Sequence, residues 1–203
     1  MLKLYNFEGK DNAEAIEKAL SSLNVNEEDI IYNLKETEAK LFKAKKINIE
    51  VILKEDIKNE IKDFIKELSL KMNIPINIEV KEEDNIFNVL LVSDNNSILI
   101  GKEGRTISAL QLILRQHLNH FNFPIRVNLD VSNYRAKKVK NIEYEIKRIA
   151  KEVLETKVEV KLDPMNSYER RIVHSVISNF ELLETESVGE EPNRYVIIRH
   201  KED

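Results

Sequence analysis

The sequence predicts an α+β chain of three small domains, at residues 1–53, 54–132 and 133–203. Three observations lead to that class. Apolar residues recur at spacings of three and four in some segments and of two in others, so helices and strands interleave along the whole chain. Glycine is scarce, with 4 in 203 residues, yet Gly101 and Gly104 stand three apart between two helical patterns. Charge is spread unevenly: residues 1–100 hold 14 lysines, no arginine and 20 acids, while residues 101–148 hold 10 basic residues against 4 acids. All nine arginines follow Gly104.

Composition removes several function classes. There is no cysteine, so a disulfide framework, a thiolate nucleophile and Cys-ligated zinc are excluded. No apolar run approaches the roughly 20 residues of a membrane span, and Met1 to Phe7 is too short and polar for a secretory signal. The expected compartment is the cytoplasm, with no direct membrane insertion. A net charge of −4 argues against a generally basic coat, but the net +6 of residues 101–148 marks a local surface for phosphate, which arginine grips as a fork.

The elements follow in order. Leu2, Leu4 and Tyr5 to Phe7 read as a short strand. Asn12 caps a helix carrying Ala13, Ile16, Ala19, Leu20 and Leu23. Ile30 to Leu34 and Ile47 to Leu53 read as strands, with a basic turn, Lys40 to Lys46, between them. From Lys54, Ile57, Ile61, Phe64, Ile65, Leu68 and Met72 repeat as a helix that Pro75 stops. Ile76 to Val80 and Ile86 to Val92 are strands around a turn at Glu82 to Asn85. A short helix, Asn95 to Ile100, leads into Gly101-Lys102-Glu103-Gly104. A long helix with Ile107, Leu110, Leu114 and Leu118 inward follows, then a strand from Pro124 to Val131.

The last domain opens with a helix from Asn133 to Leu154. Its repeat of Val139, Ile142, Ile146, Ile149 and Val153 covers barely two heptads, which favours packing on its own domain over a coiled coil. Val158 to Leu162 reads as a strand. Asn166 or Ser167 caps a helix to about Phe180, a loop runs from Glu184 to Asn193, and Tyr195 to Ile198 is the final strand.

Two sites carry chemistry. Gly101 to Gly104 is a tight helix-to-helix turn, either an ordinary corner that needs a glycine or one in which glycine admits positive φ and removes the Cβ that would hold a phosphate away. The next helix offers free N–H groups and the positive end of its dipole, and Lys102 and Arg105 add charge. Arg170 and His174 lie four apart on one helix face, opposite Ile172, Val173, Val176, Ile177 and Phe180. That pattern predicts an exposed pair, either an ordinary solvated helix face or a grip on phosphate, with Arg171, Arg194 and Arg199 either extending it or standing as plain surface charge. His117 and His120 have a spacing that metals accept, but no carboxylate stands at ligand spacing on that helix, so no metal and no cofactor is expected. No nucleophile–base–orienter set and no phosphate-binding G-x-x-x-x-G-K-[ST] loop is present, so no enzyme is expected.

The segments Leu99–Leu112, Val127–Arg135 and Pro164–His174, with the tail from Glu184 through Pro192 to Ile198, resemble the Jag (SpoIIIJ-associated, KhpB) family of bacterial RNA-binding proteins. The resemblance covers about residues 54–203. Residues 1–53 resemble the family's N-terminal Jag domain less sharply, since Leu41-Phe42 is followed by Lys43-Ala44-Lys45-Lys46 where relatives carry glycines. The long acidic spacer of some relatives is absent.

The resemblance implies a KH type II fold in the middle and a C-terminal single-stranded-nucleic-acid module named for its Arg-x-x-x-His signature. It implies a site in which Ile98, Ile100, Ile107 and Leu110 form an apolar floor, bases reach strand edges, and Gly101, Lys102, Glu103, Gly104 and Arg105 clamp the RNA backbone. Arg170 and His174 would hold an adjoining stretch, with Arg135, Lys137 and Lys138 as a bridge. Asp130 is implied as a cap for the following helix. The implied role is an RNA chaperone or post-transcriptional regulator, with a second small KH protein as partner and a link to cell-envelope growth and division. The alternative is a protein–protein adaptor that docks a membrane-insertase or cell-division assembly through residues 1–53. The net −6 of the first hundred residues argues against RNA contact there.

Overall fold

A computed structural model of the chain describes residues 2–36 and 46–201. It falls into two compact units, Met1–Ser132 and Asn133–Asp203. Most of the basic turn expected at Lys40 to Lys46, with the Leu41-Phe42 pair, lies outside the described residues.

The first unit begins with strand β1 (Tyr5–Gly9), helix α1 (Asn12–Leu23), β2 (Ile30–Glu36) and β3 (Ile47–Leu53). Asp11, not Asn12, caps α1, its side chain accepting from the Glu14 N–H at 2.8 Å. β3 is central, antiparallel to both β1 and β2. Its Ile49 and Val51 join Ala15, Ala19 and Ile30 under α1. Ile52, with Ile31 and Leu2, faces the other way into the core of the next segment, as strand alternation requires.

That segment runs α2 (Lys54–Met72), β4 (Asn77–Glu83), β5 (Ile86–Val92), α3 (Asn96–Ile100), a 3₁₀ turn, α4 (Arg105–Asn119) and β6 (Arg126–Val131). α2 ends before Pro75 acts: Asn73, at φ 53°, is a left-handed cap whose N–H reaches Leu70 C=O, while Ile74 N–H returns to Ser69 C=O. β4 and β5 form a hairpin through Asp84 and Asn85, both at positive φ, the conformation a two-residue turn demands. β6 returns parallel to β5, so the sheet order is β4-β5-β6. Phe87, Val89 and Leu91 of β5 and Val127, Leu129 and Val131 of β6 meet Ile57, Ile61 and Ile65 of α2 and Ile107, Leu110, Leu114 and Leu118 of α4 in one core.

The second unit holds α5 (Tyr134–Thr156), β7 (Val160–Lys161), α6 (Ser167–Ile177), β8 (Leu183–Val188) and β9 (Tyr195–His200). The sheet order is β7-β9-β8, antiparallel throughout. Ile146, Ala150 and Val153 of α5 pack on Val173, Val176 and Ile177 of α6 and on Leu183, Val196 and Ile198, so α5 packs on its own unit.

Three further expectations are corrected here. Residues 183–188, read largely as loop, form β8. Val158 lies outside β7 and is exposed. Asp130 does not cap α5: its Oδ1 accepts from the adjacent Val131 N–H at 2.9 Å, and Asn133, at φ 58°, turns the chain into the helix. The whole is α+β, with the expected helix-strand-strand-helix-turn-helix-strand order in the middle.

Candidate nucleic-acid interface

The turn between α3 and α4 is shaped by its glycines. Gly101 sits at φ 71°, and a Cβ there would lie 2.1 Å from Thr106 Oγ1 and 2.9 Å from Thr106 N. No other residue fits without moving the start of α4. Gly104, at φ 83°, gives its N–H to Gly101 C=O at 3.3 Å and takes the Ser108 hydroxyl on its own C=O at 2.9 Å. Glu103 between them is also left-handed, at φ 56°. Gly101 is half-buried and Gly104 buried, and the Gly104 and Arg105 N–H groups go to Gly101 C=O and Lys102 C=O, so what the turn presents at the start of α4 is its Lys102–Glu103 crest.

Lys102, Glu103 and Arg105 are all exposed around it. Arg105 meets Glu103 at 3.6 Å, a solvated pair of small worth. Lys102 makes no ion pair among the described residues.

The expected apolar floor divides in two. Ile98 is 52% exposed and Ile100 is half-buried, so these two remain accessible. Ile107 and Leu110 point into the core and are buried. They support the turn from beneath and offer no surface to a base. β6 is an edge strand, but part of its edge is already partnered. Gln111 Oε1 accepts from Leu129 N–H at 3.2 Å, and Arg115 Nε donates to Val127 C=O at 3.3 Å. Bases expected at that edge meet two groups already taken.

His117 bonds Glu60 at 2.8 Å and stacks on Phe64 with ring centroids 4.5 Å apart, which accounts for both its nitrogen and its face. It lines a cleft of about 1030 Å³ with His120, Glu60, Leu4 and Leu34.

In the second unit, Asn166 and Glu169 form a capping box at the start of α6, each side chain accepting the other's N–H at 3.0 Å. The second oxygen of Glu169 takes the ammonium of Lys138 from α5. Burial pulls the Lys138 pKa down, but the bond to Glu169 outweighs it and the net shift is upward.

Arg170 is not exposed as expected: it is 7% accessible. Its guanidinium donates to Met165 C=O at 2.7 Å and to Glu191 at 2.9 Å, tying the segment before α6 to the β8–β9 loop. His174 is half-buried between two hydroxyls of β8, Nδ1 to Thr185 at 2.6 Å and Nε2 to Ser187 at 2.9 Å. Burial, and then the nearby Arg170 charge, hold its pKa below the ordinary value.

Thus both signature side chains are engaged within the fold. The face of α6 that does meet solvent carries Tyr168 and Arg171. The Thr185 and Ser187 partners escape a reading of the sequence because their strand is not recognised there; the alternation of Leu183, Thr185 and Ser187 against Glu184 and Glu186 is its signal.

A KH domain followed by an Arg-x-x-x-His module is the class of protein this fold and these sites define. Two family models match the chain: the KhpA/KhpB KH domain over residues 58–131, and the domain named for its Arg-x-x-x-His signature over residues 140–200. A protein of Clostridium symbiosum called RNA-binding protein KhpB is 43% identical over 126 residues, 62% of this chain and 57% of that one. The protein of the same description from Bacillus subtilis is 26% identical over 200 residues, 95% of this chain and 96% of that one. The one from Lactiplantibacillus plantarum is 38% identical over 102 residues, 50% of this chain and 32% of that one. The match therefore spans little more than half of the Clostridium relative and a third of the Lactiplantibacillus one, but nearly all of the Bacillus one. The chain carries a KH domain of the KhpA/KhpB kind followed by an Arg-x-x-x-His domain, and is similar to the KhpB proteins over most of its length. Neither its KH domain nor its Arg-x-x-x-His domain belongs to an enzyme family.

Proposed function

We propose that the protein binds single-stranded RNA without catalysis and acts as an RNA chaperone or post-transcriptional regulator in cell-envelope growth and division. The observation that carries this reading is the Gly101–Gly104 turn. Its exposed Lys102–Glu103 crest stands at a helix N-terminus beside an exposed Ile98, and Lys102 makes no ion pair among the described residues. A strand passing there meets the Lys102 charge and the positive end of α4 for its phosphates and an apolar surface for a base, the KH mode of holding about four nucleotides. The name of the relatives, RNA-binding protein KhpB, supports it.

In this reading the three segments 1–53, 54–132 and 133–203 are the functional modules. Gly101 to Arg105 touch RNA, with Ile98 and Ile100 beside them. Arg170 and His174 are positioning residues, which hold the β8–β9 hairpin and the start of α6 in shape. Weak sites on one chain gain affinity through effective concentration while each still releases readily. That suits a protein that handles many RNAs, in the cytoplasm and beside a second small KH protein.

The test is Lys102→Asp with Glu103→Asp. Aspartate tolerates the left-handed conformation at 103. Stability should move within about 0.5 kcal/mol, as for a surface change, while affinity for a labelled single strand falls at least tenfold. Unchanged affinity in a folded variant would overturn the reading.

The adaptor alternative rests on Leu4 and Leu34, which stand exposed at the cleft beside His117. It predicts that Leu34→Glu leaves RNA affinity intact and removes co-sedimentation of the chain with cell membranes.

A further inference from the structure

Helix α5 runs 23 residues, and one stripe of it is core: Ile146, Ala150 and Val153 are buried, with Ile142, Ile149 and Leu154 packed beside them. The opposite stripe has a different character. Lys137, Lys140, Tyr144, Lys147, Arg148 and Lys151 recur at spacings of three and four, which places them on one face, and every one is exposed. Among the described residues none of the five cations enters an ion pair. The acids of the helix's middle, Glu143, Glu145 and Glu152, fall to the flanks of this stripe. Tyr144 stands in the middle of the cations and is 76% exposed.

Such a tyrosine gains nothing from the fold. Aromatic rings contribute by burying area, and this one is left in water. A ring flanked by unpaired cations along a line is the arrangement that single strands use: cations track the phosphates, and the ring stacks a base whatever its identity. From Lys137 to Lys151 the stripe is about 21 Å long at 1.5 Å per residue. That is on the order of four unstacked nucleotides, the low end of known single-strand site sizes.

We propose that this face of α5 is a single-stranded RNA contact in its own right, with Tyr144 as the stacking platform and Lys140, Lys147, Arg148 and Lys151 on successive phosphates. The proposal rests on the RNA-binding reading and assigns it a surface outside both signature motifs. A lipid surface fits less well. A helix that lies in a bilayer turns its apolar face outward, whereas the apolar face of α5 is spent on its own core.

The test uses the full chain and a fluorescent 16-nucleotide single-stranded RNA of mixed sequence, titrated across a salt series. Replacing Lys140, Lys147, Arg148 and Lys151 together by Gln should weaken binding at least tenfold. It should also reduce the magnitude of the log K against log salt slope by about 2 to 3, at ~0.7 per phosphate. Tyr144→Ala, which suits a helix, should weaken binding about fivefold or more with the slope unchanged. If Lys102→Asp with Glu103→Asp weakens binding while both α5 variants bind as wild type does, the ridge proposal falls and the RNA reading stands. If the wild-type chain binds no RNA, both fall. If the Gln variant loses only association with phosphatidylglycerol vesicles, or with an acidic protein, the ridge proposal falls in favour of that occupant.

Discussion

Arg170 tests whether the signature of the C-terminal module grips RNA or holds the module together. In Arg170→Ala, Met165 C=O loses a 2.7 Å charge-assisted donor and Glu191 loses its 2.9 Å partner. A hydrogen bond to a charged group contributes about 1.5–3 kcal/mol. Glu191 is 60% exposed and rehydrates when released, so its share is discounted. The Met165 bond and the lost packing of the arginine stem, which is 9% exposed, keep theirs. The sum is about 2–4 kcal/mol. A domain of 60–100 residues shifts by about 4–8 °C for each kcal/mol. The unfolding transition of residues 133–203 should therefore fall by roughly 10–25 °C. Differential scanning calorimetry reads this directly, and Glu191→Gln, which leaves the Met165 bond in place, should lower the transition far less. A change under about 2 °C together with a tenfold loss of RNA affinity would refute the reasoning, because it would mean the guanidinium is available to phosphate in solution.

Three further outcomes follow from the same geometry. Gly101→Ala should cost about 1–3 kcal/mol, since its φ of 71° and the Thr106 side chain both exclude a Cβ, and it should weaken RNA binding beyond what partial unfolding explains; urea denaturation beside a binding titration separates the two. His174 titrates below the ordinary value in the folded chain, so the unfolded chain binds protons first as pH falls. Stability is full above about pH 6.5 and is lost as pH drops below it; the melting temperature should fall between pH 7 and 5, and by less in His174→Gln, whose amide can still meet both hydroxyls. Log K for RNA should fall with log salt at a slope between about −2 and −4, and Arg171→Gln should shift that slope where His174→Ala at neutral pH should not.

What the sequence made legible was the regular part of the fold. β3 and β5 fall on their expected residues, because alternating or continuous β-branched runs bounded by polar residues have few other uses. The order around Gly101 and Gly104 was equally plain, since a chain so poor in glycine keeps it where φ must be positive. The misses share one physical cause: polar residues with internal partners look like surface. Thr185 and Ser187 gave no apolar signal for β8 because their inward side chains meet His174. Arg170 was expected in solvent because nothing local reveals that Glu191 and Met165 C=O would close over it. Ile107 and Leu110 were placed on the groove floor although their spacing with Leu114 and Leu118 already marked them as core. The spacing shows which face is buried but not how far a neighbouring groove reaches into it.

Several of the arginines are engaged within the fold. Their concentration after Gly104 points to phosphate, yet Arg105 meets Glu103, Arg115 donates to Val127 C=O, Arg170 to Met165 C=O and Glu191, and Arg199 to Glu184 and Glu186. A planar fork with five donors suits internal carbonyls and carboxylates as well as it suits phosphate, and in this fold much of that capacity is used internally. Lys102 at the turn and the cations of the exposed α5 stripe have no such partner among the described residues. A compact, strongly hydrated ammonium on a flexible stem binds phosphate as a point charge and lets it go. Affinity built on such contacts is salt-sensitive, largely blind to sequence and quick to reverse. In the role proposed above, selection among RNAs rests on the Gly101–Gly104 turn, whose backbone shape depends on its glycines.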